Sequence, residues 1–148
     1  MTYLTRHFTL DELITTARPG FELEQEEGAA KVRPALLALA QLLEDVRTLL
    51  GDRAIMVHSG YRCPRLNTAI GGSPSSQHMR GEAADWHVPG LELEAAFGAI
   101  RQSGLKWGQL ILEGNRPGKP SWVHLSLGSP WRPAERSQQV LVYDGTRY

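Results

Sequence analysis

The clearest pattern of hydrophobic positions lies between Pro34 and Gly51. Five apolar residues follow one another at intervals of three and four, so they share one face of an α-helix. They are Leu36, Leu39, Leu43, Val46 and Leu50. Proline suits the first turn of a helix and glycine suits its end, so both ends of this helix are marked.

Two shorter helices are predicted on either side of it. Thr9 and Glu12 form a capping box, and the helix that they begin should end near Thr16. Residues 93–100 carry a second apolar stripe that stops at Gly104. Residues 17–28, rich in glutamate around a Pro-Gly pair, indicate a loop.

The remaining apolar runs are short and typical of strands. Four strands are predicted, over residues 54–58, 83–88, 107–113 and 121–127. The last two flank the sequence GNRPGKP and should form a hairpin. Helices that come first and short strands that follow favour an α+β fold, with a small antiparallel sheet on which the helices pack.

Composition narrows the class of protein. A length of 148 residues is that of one domain, and 16 basic residues balance 16 acidic ones, so charge gives no argument for binding nucleic acid or membrane. No segment has the roughly 18 apolar residues of a membrane helix. The start of the chain lacks the apolar core of a signal peptide, so we expect cytoplasmic synthesis. A single cysteine, Cys63, excludes an internal disulfide.

A candidate metal site lies in the second half of the sequence. His78 lies in a predicted loop, Asp85 on the strand after it, and His124 on the last predicted strand. Gly81, between the first two, lets the chain turn back so that both side chains face one point. Two imidazoles and one carboxylate, with a fourth position for water, are what a catalytic Zn2+ requires.

Spacing alone leaves other interpretations open. His78 could be an ordinary loop histidine and Asp85 a turn residue, and the same ligands accept other divalent ions. Cys63 could act as a nucleophile, but no base or orienting residue is evident beside it.

Four segments together carry a resemblance to a known family. They are SGYRCPRLN (59–67), GGSPSSQHMRGEAAD (71–85), WGQLILE (107–113) and WVHLS (122–126). In this order they resemble the D-alanyl-D-alanine carboxypeptidase and L-alanyl-D-glutamate endopeptidase group of zinc peptidases, especially its short single-domain members from phages, prophages and bacteria. The resemblance covers roughly residues 7–127.

The resemblance implies a fold and a set of ligands. It implies a hedgehog- and D,D-peptidase-like domain spanning residues 1–148, with a core at about 7–127 and a C-terminal extension at 128–148. In such proteins the histidine and aspartate of the second segment and the histidine of the last bind zinc, which correspond here to His78, Asp85 and His124. Arg62 and Ser76 correspond to positions that contact substrate, and a guanidinium matches a carboxylate well.

The general base is where this sequence departs from the family pattern. Many relatives carry an acid or a histidine two or three residues before the last zinc ligand, whereas this chain has Ser121 and Trp122 there. Glu113 is the best substitute, because it ends the preceding strand. Whether it shares a face with His124 depends on the hairpin register, which the sequence does not fix.

The resemblance therefore predicts a zinc peptidase, acting as a monomer, that hydrolyses peptidoglycan stem peptides without nucleic acid or membrane partners. Both D,D-carboxypeptidase and L-Ala-D-Glu endopeptidase activity fit, in an endolysin-like role on the cell wall after release. The alternative is an inactive zinc-binding module of a wall-binding or virion protein, which the missing base suggests.

Overall fold

A computed structural model describes residues 2–114, 116, 118–128 and 139–142. Its helices are α1 (Leu10–Leu13), α2 (Glu22–Lys31), α3 (Arg33–Leu49), α4 (Pro64–Ala69) and α5 (Leu93–Arg101), with a 3-10 turn at Gln77–Arg80. Its strands are β1 (Met56–Ser59), β2 (Ala83–His87), β3 (Gln109–Glu113), β4 (Trp122–Ser126) and β5 (Gln139–Val142). Most of the predicted extension at 128–148 lies outside the described residues.

The predicted helices are confirmed, with small shifts at their ends. The capping box of α1 is present, since the Thr9 side chain and the Glu12 carboxylate each accept the other's backbone N–H. In α3 the predicted stripe is buried, and Pro34 lies in its first turn. This helix therefore supplies the largest part of the core.

The loop predicted at residues 17–28 is wrong, because α2 begins at Glu22. Glutamate, glutamine and alanine are good helix formers, so local propensity favours this helix. Its buried positions are Gln25 and Ala29. Neither is a large apolar residue, so the helix has no hydrophobic stripe that the sequence pattern could reveal.

The five strands form one sheet in the order β1-β2-β4-β3-β5. Neighbouring strands are antiparallel except that β5 runs parallel to β3. The predicted β3–β4 hairpin is present, whereas β5 had no sequence signal. The α+β class with a small, mostly antiparallel sheet is confirmed.

Side chains alternate between the two faces of this sheet. One face packs with α3 and α5 into a single apolar core. Its strand residues are Ala84, Trp86, Leu110, Leu112, Val123 and Leu125. The other face carries Asp85, Glu113 and His124, which are the polar residues singled out from the sequence. We call these the core face and the site face.

Among the described residues, no helix is both long enough and apolar enough to cross a bilayer.

Candidate metal centre

Three predicted ligands meet on the site face. Asp85 on β2 lies directly opposite His124 on β4, and His78 approaches from the 3-10 turn. All three side chains are buried, and one potential ligand atom from each lies within 4.8 Å of the others. Direct cross-strand partners lie on the same face of a sheet, which is why β2 and β4 bring these two side chains together.

The turn that carries His78 is fixed at both ends. The Ser76 hydroxyl accepts the backbone N–H of His78 at 3.2 Å and caps the turn. Gly81 ends it with a φ of +70°, a left-handed conformation that favours glycine. The predicted reversal at Gly81 is therefore present, and it leads the chain into β2 close to His78.

A backbone contact sets the orientation of the His78 ring. Its Nδ1 lies 2.7 Å from the carbonyl oxygen of Gly60, and because a carbonyl only accepts, Nδ1 must carry the proton. Nε2 then holds a free lone pair and faces Asp85, whose Oδ2 is 3.3 Å away. Metal-binding histidines typically donate a hydrogen bond from one ring nitrogen, which orients the other nitrogen toward the metal.

The charge states of Asp85 and His78 suit a metal ion, whereas that of His124 favours a proton that a metal would displace. Burial alone would raise the pKa of Asp85, but His78 and His124 hold it well below its usual range, so the carboxylate stays ionised. Burial lowers the pKa of His78 and favours its neutral form. For His124, burial is outweighed by the hydrogen bond from Nδ1 to Asp85 Oδ1 at 2.9 Å, which raises the pKa.

Unsatisfied nitrogens give a direct test of whether a cation fits. Nε2 of His78 and Nε2 of His124 are buried without a hydrogen-bond partner in the described part of the chain. Buried polar atoms without partners are costly and uncommon. A divalent ion among two imidazoles and a carboxylate would use the lone pair of His78 Nε2, so the residues present fit such an ion.

Arg62 lies beside this centre. Its guanidinium donates to Ser59 Oγ at 3.1 Å and to Asn67 Oδ1 at 3.0 Å, and reaches Asp85 Oδ2 at 3.5 Å. Burial lowers the pKa of Arg62, while Asp85 and Glu113 oppose that shift. The side chain is thus held rigidly at the edge of the centre.

Gln25 fixes the turn that carries Arg62, a role that no sequence pattern indicated. Its side-chain amide donates to the carbonyl oxygens of Ile14 and Tyr61, at 3.0 and 2.8 Å. Its oxygen accepts the N–H of Cys63 at 2.7 Å. The residues on either side of Arg62 are therefore both bound to one buried side chain.

Glu113 lies on the site face. Ile111 pairs with His124 and Glu113 pairs with Trp122, so the register that the sequence left open puts Glu113 on the same face as His124. The indole N–H of Trp122 donates to Glu113 Oε1 at 2.8 Å. Burial, followed by the charge of Asp85, raises the pKa of Glu113.

Neither Cys63 nor the histidine pair His58 and His87 belongs to the group of potential metal ligands. Cys63 is 2% exposed, which does not suit a nucleophile that must reach substrate. His87 contacts His58, with Nδ1 and Nε2 2.6 Å apart. The Ser76 hydroxyl caps the His78 turn, and its contact with substrate stays a prediction.

Comparison with known proteins gives two matches. The sequence model of the peptidase M15 family matches residues 6–126, which is most of the chain. The zinc D-Ala-D-Ala carboxypeptidase of Streptomyces albus G is 32% identical over 100 residues. That match covers 68% of this chain but 38% of the relative, so the chain spans well under half of the relative's length.

Proposed function

Because the chain belongs to the peptidase M15 family, we propose that it is a zinc-dependent peptidase that cuts a bond beside a D-amino acid in bacterial peptidoglycan stem peptides. The observation that carries this proposal is the buried group of His78, Asp85 and His124, with ligand atoms within 4.8 Å of one another. The similarity to a zinc D-Ala-D-Ala carboxypeptidase supports both the metal and the substrate class.

These three residues are the proposed zinc ligands. Metal binding requires an ionised carboxylate and neutral imidazoles. The pKa shifts of Asp85 and His78 favour these states, and zinc would displace the proton that the raised pKa of His124 favours. When bound in such a site, zinc lowers the pKa of water to near 7 and polarises a scissile carbonyl.

Glu113 is the proposed general base. It shares the site face with two of the ligands, and its raised pKa brings it closer to the neutral range in which a carboxylate accepts and returns protons efficiently. In this mechanism Glu113 takes a proton from the attacking water and passes it to the leaving amine.

Arg62 is the proposed binding residue for the substrate's carboxylate. A fixed guanidinium presents paired donors that match a carboxylate, and Arg62 is held in place by Ser59 and Asn67. A free C-terminal carboxylate exists at the end of a D-Ala-D-Ala peptide, so this contact favours carboxypeptidase over endopeptidase activity. Endopeptidase cleavage of an L-Ala-D-Glu bond is the second candidate, because the side-chain or α-carboxylate of D-Glu could occupy the same fork.

The experiment compares zinc-loaded wild type with the His78→Ala variant, on a peptide ending in D-Ala-D-Ala and on purified peptidoglycan. Mass spectrometry of the products names the bond, and metal analysis counts zinc per chain. His7→Ala is the matched control, because His7 bonds Glu44 away from the centre. We expect release of D-Ala by wild type and His7→Ala but not by His78→Ala.

Other results would change the proposal in defined ways. Release of fragments cut after L-Ala would replace the carboxypeptidase by the endopeptidase. One bound zinc per chain with no product from any substrate would favour the inactive wall-binding or virion module. An endolysin-like role stays a prediction, tested by whether added protein lyses cells whose outer barrier has been permeabilised.

A further inference from the structure

We propose that Trp122 is a positioning residue for Glu113: its indole N–H holds one carboxylate oxygen and so directs the other toward the attacking water. The inference rests on the proposed function, in which Glu113 is the base. It assigns a role to the residue that stands where many relatives carry an acid or a histidine.

The hairpin register creates the contact. Glu113 and Trp122 are direct partners on β3 and β4, and the next pair on this face, Ile111 and His124, includes a proposed ligand. Nε1 of Trp122 lies 2.8 Å from Oε1 of Glu113, within the range of a good hydrogen bond. The contact therefore links the Glu113 carboxylate to β4, where the proposed ligand His124 lies two residues after Trp122.

A base in this place needs such a contact. Glu113 is the last residue of β3, and its long side chain has several rotatable bonds that strand pairing does not fix. A general base must lie within hydrogen-bond reach of the proton it takes. A donor on one oxygen limits rotation of the carboxylate and leaves the second oxygen as the proton acceptor.

The chemistry of the donor is also suitable. An indole N–H donates but never accepts, so it cannot compete with Glu113 for the proton. It carries no charge, and therefore lowers the basicity of a carboxylate much less than a lysine or arginine partner would. Trp122 thus orients Glu113 with only a small loss of its basicity.

Trp107 offers a matched comparison beside the same sheet. It lies just before β3 and is buried in the core, and its indole N–H has no hydrogen-bond partner in the described part of the chain. Replacing either tryptophan by phenylalanine removes the same N–H and much the same ring area. Only at position 122 does that N–H hold a carboxylate.

The kinetic test is a double-mutant cycle on the zinc-loaded full chain, with a peptide ending in D-Ala-D-Ala as substrate. We expect Trp122→Phe to lower kcat about 10- to 100-fold, the usual effect of losing a residue that orients a site group, while KM and zinc content stay unchanged. Trp107→Phe should leave kcat unchanged. In a Glu113→Gln background, Trp122→Phe should cause no further loss, because the group it positions no longer acts.

A second readout does not depend on activity or on zinc. The measurement is the NMR spectrum of the metal-free protein, in which each indole N–H gives one signal. The signal that disappears in Trp122→Phe should shift in Glu113→Ala. The signal that disappears in Trp107→Phe should not. Trp122→Phe serves here only to assign the signal, because the shift itself is measured in Glu113→Ala, with both tryptophans in place.

The outcomes separate the two proposals. Hydrolysis by wild type with additive losses from Trp122→Phe and Glu113→Gln, or an indole signal unmoved in Glu113→Ala, would overturn the role of Trp122 alone. A wild type that binds zinc and cleaves no peptide would overturn the proposed function, and the positioning role with it.

Discussion

The two faces of the sheet use the same strands for opposite purposes. On β2, Trp86 points into the core and is fully buried, while its neighbour Asp85 points to the site face and is held between two histidines. The apolar side chains of the core face pack against α3 and α5. The site face instead brings together a buried carboxylate and two imidazoles, whose Nε2 atoms, like Nε1 of Trp86 on the core face, lack hydrogen-bond partners among the described residues.

The difference shows that one face of the sheet supplies the stability of this small protein and the other carries its candidate chemistry. Burial of apolar area supplies most of the favourable free energy of folding, and the core face provides it. Buried polar groups cost free energy unless they are paired, and ionisable groups cost most, so this cost falls mainly on the site face, which buries Asp85 and His124. A substitution on one face should therefore change what the other face does only weakly.

The largest expected effect on folding comes from the core face. Trp86→Ala should lower the free energy of unfolding by about 3–5 kcal/mol, the usual cost of removing a large buried aromatic side chain. His87→Ala, at the adjacent and less buried position on the site face, should change it by only about 1 kcal/mol, because it loses little more than the contact with His58. Urea denaturation of both variants measures this, and equal losses would contradict the division between the faces.

Metal binding should add stability from the site face. Zinc at about 100 times its dissociation constant should raise the free energy of unfolding by about 2.7 kcal/mol, because only the folded chain presents all three proposed ligands together. His124→Ala should lose this gain, and His7→Ala should keep it. Thermal unfolding with and without a chelator is the measurement, and a full zinc shift in His124→Ala would place the metal elsewhere.

A change at Arg62 should affect substrate binding more than folding. Arg62→Lys keeps the charge but removes the planar fork, so KM should rise about tenfold or more, the equivalent of one charge-assisted hydrogen bond at about 1.5 kcal/mol. Arg65→Lys is the control, since Arg65 is exposed and pairs with Glu24. Steady-state kinetics on a D-Ala-D-Ala peptide test it, and an unchanged KM in Arg62→Lys would remove Arg62 from the binding site.

The smallest effect should come from a position that belongs to neither face. Thr9→Ala removes the side-chain cap of α1 and should cost about 1 kcal/mol of stability. Activity at 25 °C should not change, because α1 supplies none of the proposed ligands. Urea denaturation measures the loss, with Thr68→Ala, an exposed threonine of α4, as the comparison.

Local signals along the chain predicted much of this fold. The spacing of Leu36, Leu39 and Leu43 was enough to identify α3, because apolar residues at intervals of three and four mark the core-facing side of a helix. The Thr9 capping box identified α1 for the same local reason. The helix α2 was missed because its buried contacts are made by Gln25 and Ala29, and β5 was missed because the residues around it carry no clear alternation.

The site was predictable in its residue types but not in its geometry. His78, Asp85 and His124 were found from their chemistry and from the family resemblance. The position of Glu113 relative to His124 was not, because it depends on which residues pair across the β3–β4 hairpin. The role of Gln25 could not be predicted from the sequence either, because its hydrogen-bond partners lie 11, 36 and 38 residues away along the chain.

The pairing of Asp85 with His124 also determines when in folding the centre can form. The two residues are 39 positions apart, so their meeting requires a long loop to close before the contact is gained. A chain emerging from the ribosome carries His78 and Asp85 well before β4 has been made. The complete set of proposed ligands therefore exists only after β2 and β4 have paired, so capture of a metal ion would mark a chain whose central strands are in place.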